Sequence, residues 1–479
     1  MSRTLLVCVV LLGLACGSPT DNGAANTLII TPNPVFLAPG AVTRLVVSDT
    51  DASGHELMGF AVSFSSSDPA VATVEPDGTV RGRRAGLTNI IAWSGLAVSH
   101  VPVLVTSTLA GIQIRPNGVA LHPHDTAQFT AVLIDSGGRP TRLQPKFIYM
   151  SGNPAVATVD EKGLARSVGP LGQTFIGVSG AGFFSSVTLA VVDSSVLNRL
   201  YLAGSPAFLG VSGATSYVAR PFSNKVQVLN LTNDTFTDSI TVGSVPCGVV
   251  FNQSGTRAYV ANQYSDNVSV IDVATKTVIA TIALHGDPLP VIMPKGDSVL
   301  FVTTNANFLF KINTLSNTVV DSLPLPATSH HMFVHPNDSL LYVATRDGRS
   351  VIELNWRTWG VTRTFDLGAQ TLGMEMAPDH SELYVTSGGP DSLYTINLGT
   401  GTITGTALSA SASTIALNAA GTQIYVGMLF AGEVEVLDRA TRAHVKTIFT
   451  GGTVRDMATD VARNRVIVTN EGGWVDFVR

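Results

Sequence analysis

From residue 197 onward the chain alternates short apolar runs with polar turns at a nearly constant beat, and one stretch shows how. Gly248–Asn252 is a short apolar run, Gln253-Ser254-Gly255 a turn, and Arg257–Asn262 a second run. Asn267 opens a third, Val268–Asp272, and Thr277–Ala283 is a fourth, with Ala274-Thr275-Lys276 turning between them. Short runs rich in β-branched and aromatic residues, bounded by Gly, Asn, Asp and Ser, predict strands. Four such strands joined by tight turns predict one antiparallel sheet per beat.

The beat is a repeat. A Tyr-Val pair or its equivalent falls at Tyr217-Val218, Tyr259-Val260, Phe301-Val302, Tyr342-Val343, Tyr384-Val385, Tyr425-Val426 and Ile467-Val468, spaced 42, 42, 41, 42, 41 and 42 residues apart. A polar turn residue follows at Asn230, Asp272, Asn313, Asn355, Asn397 and Asp438. After the seventh copy only one more strand remains, Trp474–Val478. The missing fourth strand is expected from 198–203, just before the first full copy, so that the last sheet closes on both ends of the array. The motifs Tyr259-Val260-Ala261-Asn262 and Val268-Ser269-Val270-Ile271-Asp272 resemble the YVTN-type propeller. That resemblance implies a seven-bladed β-propeller over 197–479, with 191–197 as the link before it.

A second, longer period precedes the first. Asp68-Pro69-Ala70-Val71-Ala72-Thr73-Val74 recurs 85 residues later as Asn153-Pro154-Ala155-Val156-Ala157-Thr158-Val159, each copy followed by a turn glycine, Gly78 or Gly163. Alternating strands split by turns at this density predict two β-sandwiches, over 27–107 and 108–193. Ser66-Ser67-Asp68-Pro69 and the later Gly86 resemble the bacterial Ig-like group 2 domain; the second copy carries Met150-Ser151-Gly152-Asn153 at the same place. The expected fold class is therefore all-β: two Ig-like sandwiches followed by the propeller.

The N-terminus supplies an address. Arg3 precedes an apolar run, Leu5–Leu14, too short for the roughly 20 residues that span a bilayer, so 1–15 reads as a signal peptide. Gly13-Leu14-Ala15-Cys16 resembles the bacterial lipobox, with Gly13 where Leu is usual. The resemblance implies lipidation of Cys16. Gly17, in place of the Asp of inner-membrane retention, points to the outer membrane or cell surface. A periplasmic or secreted protein is the alternative, because Gly13 and Ala15 also suit ordinary signal cleavage. Residues 16–26 then form a polar tether.

Composition narrows the function classes. Charged residues are 13% of the chain, against about 25% in an ordinary domain, and the net charge is −5. Binding nucleic acid by neutralising phosphates is not expected. Cys247 is the one cysteine beyond the N-terminal segment, so no intrachain disulfide is expected in the folded domains.

Propellers of the resembled type bind at the channel end where each blade's first strand begins. Aligning the copies places Cys247, Leu289, His330, Leu372, Ser413 and Arg455 at one level there. Gly248, Pro290, His331, Gly373, Thr414 and Asp456 occupy the next. Glu375 lies further along the fifth first strand. The candidate ligand-binding residues are therefore His330, His331, Glu375, Arg455 and Asp456. Adjacent residues on a strand point to opposite faces, which argues against chelation by both His330 and His331. His122-Pro123-His124 reads as a loop with solvated rings, Trp356 and Trp359 as the cover of a blade's outer edge, and Cys247 as a small packed residue. No Cys-x-x-Cys-His, Gly-x-Ser-x-Gly or phosphate-loop motif occurs.

Three functions remain open. The first, which these residues favour, is an exported scaffold: a monomer without cofactor, metal or catalysis that displays the propeller on an Ig-like stalk to bind an envelope or extracellular protein or glycan. The second is a periplasmic or surface enzyme of the lactonase, lyase or oxidoreductase kind. The third is a structural part of a surface layer or envelope.

Overall fold

A computed structural model describes residues 27–479 apart from 51–55, 58, 59, 96 and 338. The expected signal, Cys16 and the tether lie outside the described residues. The chain divides into two units, one of residues up to 114 with 131–148 and 178–185, the other of 115–130, 149–177 and 186–479. The boundary expected at 108 does not coincide with this division, which runs through the strands Gly172–Gly180 and Phe183–Val191. Among the described residues there is no α-helix, only strands, turns and three short 3-10 segments.

In the first unit a four-stranded sheet orders Val35–Leu37, Ala97–Val105, Gly86–Ser94 and Ser63–Ser66, beside two three-stranded sheets. Ile30, Val35, Val71, Ala72, Val80, Ile90 and Val101 share one apolar core. The repeated motif makes the turn that feeds this core. The Asp68 side chain accepts the Ala70 N–H at 3.0 Å, its carbonyl accepts Val71 N–H at 3.0 Å, and Val71 and Ala72 are delivered inward. In the second unit Asn153 does the same for Ala155 and Val156 at 3.1 Å each. The turn glycines Gly78 (φ 85°) and Gly163 (φ 83°) sit where a Cβ would lie 2.8 and 2.4 Å from the carbonyls of Leu45 and Phe129. No other residue fits there without displacing backbone.

The rest of the second unit carries seven four-stranded antiparallel sheets. Sheets 1 to 6 cover 209–241, 246–283, 288–324, 329–366, 371–407 and 412–449. Sheet 7 orders Val196–Tyr201, Trp474–Val478, Arg465–Asn470 and Val454–Asp460. The first strand of each sheet touches the first strand of the next, and that of sheet 7 touches that of sheet 1.

The repeat residue explains the stacking. Tyr217, Tyr259, Phe301, Tyr342, Tyr384, Tyr425 and Ile467 are all buried, and each belongs to an apolar cluster shared with the following sheet. Tyr259 of sheet 2 packs with Leu300, Val302 and Ile312 of sheet 3; Ile467 of sheet 7 packs with Leu209, Val218 and Leu229 of sheet 1. Burying an aromatic side chain of this size contributes roughly 1.5–3 kcal/mol, so a near-constant residue at this position is what stacking requires. The polar turn residues cap the turn between third and fourth strands: Asp272 accepts Thr275 N–H at 2.8 Å, and Asn397 accepts Gly399 N–H at 3.0 Å.

The last sheet is completed from the N-terminal side. Val196–Tyr201 pairs antiparallel with Trp474–Val478, with Arg199 directly opposite Asp476. The strand starts two residues earlier than expected because Val196 pairs with Val478. Both Arg199 and Asp476 side chains are wholly buried. Arg199 Nε and Nη2 donate to the Asp476 carboxylate oxygens at 2.6 and 2.7 Å, Nη2 also donates to the Thr450 carbonyl, and the guanidinium lies 4.5 Å from the Trp474 ring centroid. Removing one member of such a pair leaves an uncompensated buried charge. Asp476→Ala is expected to lower the unfolding free energy by about 3–5 kcal/mol in urea titration, and Arg199→Met with Asp476→Leu to recover most of that loss.

Candidate functional site

The expected site lies where the first strands begin. In sheets 2 to 7 the pairing of first with second strand shifts there, as between Ser329 and His331 or Val454 and Asp456. Each shift is a β-bulge, so strict alternation of side chains fails at this level. At the two adjacent histidines Ser329 pairs with Thr345 and His331 with Ala344, while His330 is the bulged residue with no Cα partner.

Much of the polar inventory at this level braces neighbouring sheets. Cys247 Sγ contacts the Pro288 carbonyl of sheet 3 at 3.0 Å and the Ala261 carbonyl of its own sheet at 3.7 Å. Ser413 Oγ repeats the arrangement four sheets later, donating to the Val454 carbonyl at 2.9 Å and the Gly427 carbonyl at 3.3 Å. Burial pushes the Cys247 thiol up to about 12, the opposite of an activated nucleophile. The following position also faces the next strand. A Cβ on Gly248 would lie 2.9 Å from the Leu289 carbonyl, and one on Gly373 would lie 3.0 Å from Thr414 Cα.

Asp456 occupies that position in sheet 7 and joins three sheets. Its carboxylate accepts Leu209 N–H of sheet 1 at 3.0 Å, its neighbour Met457 N–H at 2.9 Å, and the Thr414 hydroxyl of sheet 6 at 3.3 Å. Burial pushes its carboxyl up to about 6, opposed by those three donors. Arg455 pairs with Glu471 at 3.4 Å and lies 5.3 Å from the Phe208 ring centroid. Burial, then the charges of Arg346 and Arg455, lower His330 to about 4; burial alone lowers His331 to about 4. Both imidazoles are neutral at pH 7. His331 Nδ1 is buried without a hydrogen-bond partner among the described residues.

Glu375 is half-buried on the first strand of sheet 5, and Met376 N–H donates to it at 2.9 Å. Desolvation pushes its carboxyl up to about 7. The charge of Arg455 acts on both His330 and Asp456. Among the described residues, no hydrogen bond or ion pair joins any two of the five candidates, and no group of three His, Cys, Asp or Glu is arranged to hold a metal.

The remaining candidates have structural partners. His122 Nε2 lies 3.2 Å from the Val196 carbonyl and its Nδ1 3.6 Å from Asp125. Trp356 is buried, with the Phe301 ring 5.6 Å away, and Trp359 stacks on Phe301 at 6.1 Å. Sequence alignment missed Phe208, because the turn between first and second strands is shorter in sheet 1, which moves this level closer to the repeat Tyr than in sheet 2. It also missed Phe222, Tyr264 and Phe430, which are exposed in loops at this same end. Each stands five residues after the Tyr of its repeat, a signal present in the sequence but hidden because four copies lack it.

Two measurements check these assignments. Cys247→Ser should cost less than about 1.5 kcal/mol, since Ser413 already serves the same contacts, and the native thiol should resist Ellman's reagent until the protein unfolds. Glu375 has a folded pKa near 7, above its unfolded 4.5. The folded state therefore holds the proton more tightly, and its stabilisation grows as pH falls from about 7 towards 4.5 and is absent above 7. Glu375→Gln should be more stable than the parent at pH 8, by about 2 kcal/mol or less, with the advantage vanishing near pH 4.5. A difference between the two proteins that does not change with pH would refute the assignment.

Three similarities to known proteins place this geometry. Hydrazine synthase of Kuenenia stuttgartiensis, a solved structure, aligns with a TM-score of 0.54 over 60% of this chain and 98% of its own, at 16% identity, a likeness of fold alone. Ice-binding protein 1 of Shewanella frigidimarina is 28% identical over 189 residues, 38% of this chain. The chain spans about a fifth of that curated relative, 21% of its length. Residues 24–105 match the bacterial Ig-like domain (group 2), and the strands from Thr27 to Val105 are that domain.

Proposed function

We propose that the protein is an exported, lipid-anchored binding scaffold: a seven-bladed YVTN-type propeller, 197–479, held on an Ig-like stalk and used for noncovalent recognition at the outer membrane or cell surface. The propeller reading is supported by the cyclic order of seven apolar clusters, in which sheet 7 covers sheet 1 as sheet 1 covers sheet 2. The extracellular setting is supported by the group 2 Ig-like domain. Ice binding is stated of the relative by its name and is not carried over here.

The observation that carries the non-catalytic reading is the use made of the mouth's polar groups. Asp456, Cys247 and Ser413 direct their hydrogen bonds to neighbouring first strands. Arg455 is paired with Glu471. A reacting centre needs convergent groups within about 3 Å of a common point, and these groups diverge into the wall. The protein acts as a monomer, requires no cofactor and does not engage nucleic acid, in keeping with its net charge of −5.

Native mass spectrometry with metal analysis, on the full chain purified from its host without chelator, tests the scaffold reading. An apo mass is expected. A stoichiometric metal or cofactor that is lost in His330→Ala and His331→Ala would replace it with an enzyme. Mass spectrometry of membrane-extracted protein tests the anchor: a diacylglyceryl adduct on Cys16 is expected, and an unmodified N-terminus at or beyond residue 17 would end that claim.

A further inference from the structure

The array exposes three aromatic rings at one repeat position, and nothing in the packing of the sheets requires them. Phe222 of sheet 1, Tyr264 of sheet 2 and Phe430 of sheet 6 are 81%, 69% and 79% exposed. Each lies in the loop between second and third strands, at the end where the first strands begin. Sheets 6, 7, 1 and 2 are consecutive around the ring, so the rings stand on one arc. Sheet 7 contributes the small loop 471–473 at the middle of that arc.

The backbone beneath each ring is held. Pro221–Ser223 and Gln263–Ser265 are 3-10 turns. The loops end in left-handed residues, Asn224, Asp266 and Gly432, at φ 54°, 50° and 66°. The next sheet's entry fastens each one. Val245 N–H donates to Asn224 Oδ1 at 3.1 Å, Asp287 N–H to Asp266 Oδ1 at 2.8 Å, and Gly451 N–H to the Gly432 carbonyl at 2.7 Å. A large ring kept in water on a fixed mount loses little entropy on binding, which is the condition for a recognition platform.

The surroundings select the ligand. The chain neighbours of two of the rings, Ser223, Gln263 and Ser265, are polar and offer hydrogen-bonding groups beside the aromatic faces. Along the arc the central cation, Arg455, is already paired with Glu471. An occupant must therefore present apolar faces at intervals, hydroxyl edges between them, and no net charge. A sugar polymer does so: each pyranose offers a C–H face to an aromatic ring and hydroxyls to side chains around it. We propose that Phe222, Tyr264 and Phe430 form a stacking platform for an extended neutral polysaccharide. This rests on the recognition reading above and names its ligand class.

Affinity electrophoresis of the full chain in native gels containing laminarin, dextran or hydroxyethyl cellulose, with alginate as the anionic control, tests the platform. Retardation is expected in at least one neutral polymer. The triple variant Phe222→Ala, Tyr264→Ala, Phe430→Ala should need about tenfold more polymer for half-retardation, at unchanged melting temperature. Tyr264→Phe should bind as the parent does. Equal retardation of parent and triple variant would overturn the platform, as would retardation by alginate alone. If no polymer retards the protein but a photo-cross-linker at position 222 captures an envelope protein, the glycan inference fails and the recognition reading stands. If neither occurs, both fail.

Discussion

The structure of the larger unit depends on one constraint: each four-stranded sheet has an apolar face that only the next sheet can cover. A single sheet of this size cannot bury that face alone, so the sheets stack, and an open stack would leave its first and last faces wet. Here the cover is cyclic. Tyr217 reaches into sheet 2, Tyr425 into sheet 7, and Ile467 of sheet 7 into sheet 1. The repeat position is large and apolar in every copy because it always meets the same kind of cavity. Its hydroxyl is secondary: Tyr342 and Tyr384 donate to Glu353 at 3.0 Å and Glu382 at 2.8 Å, while Phe301 and Ile467 dispense with one.

Closure adds a demand that stacking alone does not. The last sheet must be shared by both ends of the array, so residues 196–201 meet residues 474–478. The apolar pairing there is reinforced by a bidentate, charge-assisted pair in a wholly buried setting, Arg199 with Asp476. Sheet 4 carries a similar cross-strand pair between its third and fourth strands, Glu353 with Arg363, one residue along from the position of Asp476, but Arg363 there is more than a third exposed. A buried pair restricts partner choice more than it adds stability, because any slip of register would leave a charge unpaired. At the one place where the chain must find a distant segment, that specificity has a use.

The same crowding governs the level at which the first strands begin. Seven first strands converge, and the backbones approach so closely that Gly248 and Gly373 have no room for a Cβ. Bulges relieve the fit, and polar side chains at this level turn to neighbouring carbonyls and amides. The perturbed protonation of Glu375, Asp456, His330 and His331 is a consequence of burial in that wall. Strongly shifted groups usually mark function. Here they also mark a level where neighbouring backbones come close, whereas the loops beyond it differ from copy to copy and carry the exposed rings.

The sequence by itself determined the strands, their grouping and their order. Arg257–Asn262 and Thr277–Ala283 have the bounds read from apolar runs and turn residues, since local chemistry decides where a strand begins and ends. The offset between Asp68 and Asn153 marked two equivalent turns, because a side chain capping its own turn acts over two residues. The closing strand was also legible, as a surplus at one end matching a deficit at the other. Only the tertiary structure decided the direction and duty of the candidate side chains. The bulge at His330 breaks alternation, Asp456 joins sheets whose residues are more than 200 positions apart in sequence, and Phe208 takes its place beneath Arg455 without a sequence marker. These outcomes follow from how closely the first strands of neighbouring sheets approach, a property of sheets in contact that no single repeat contains.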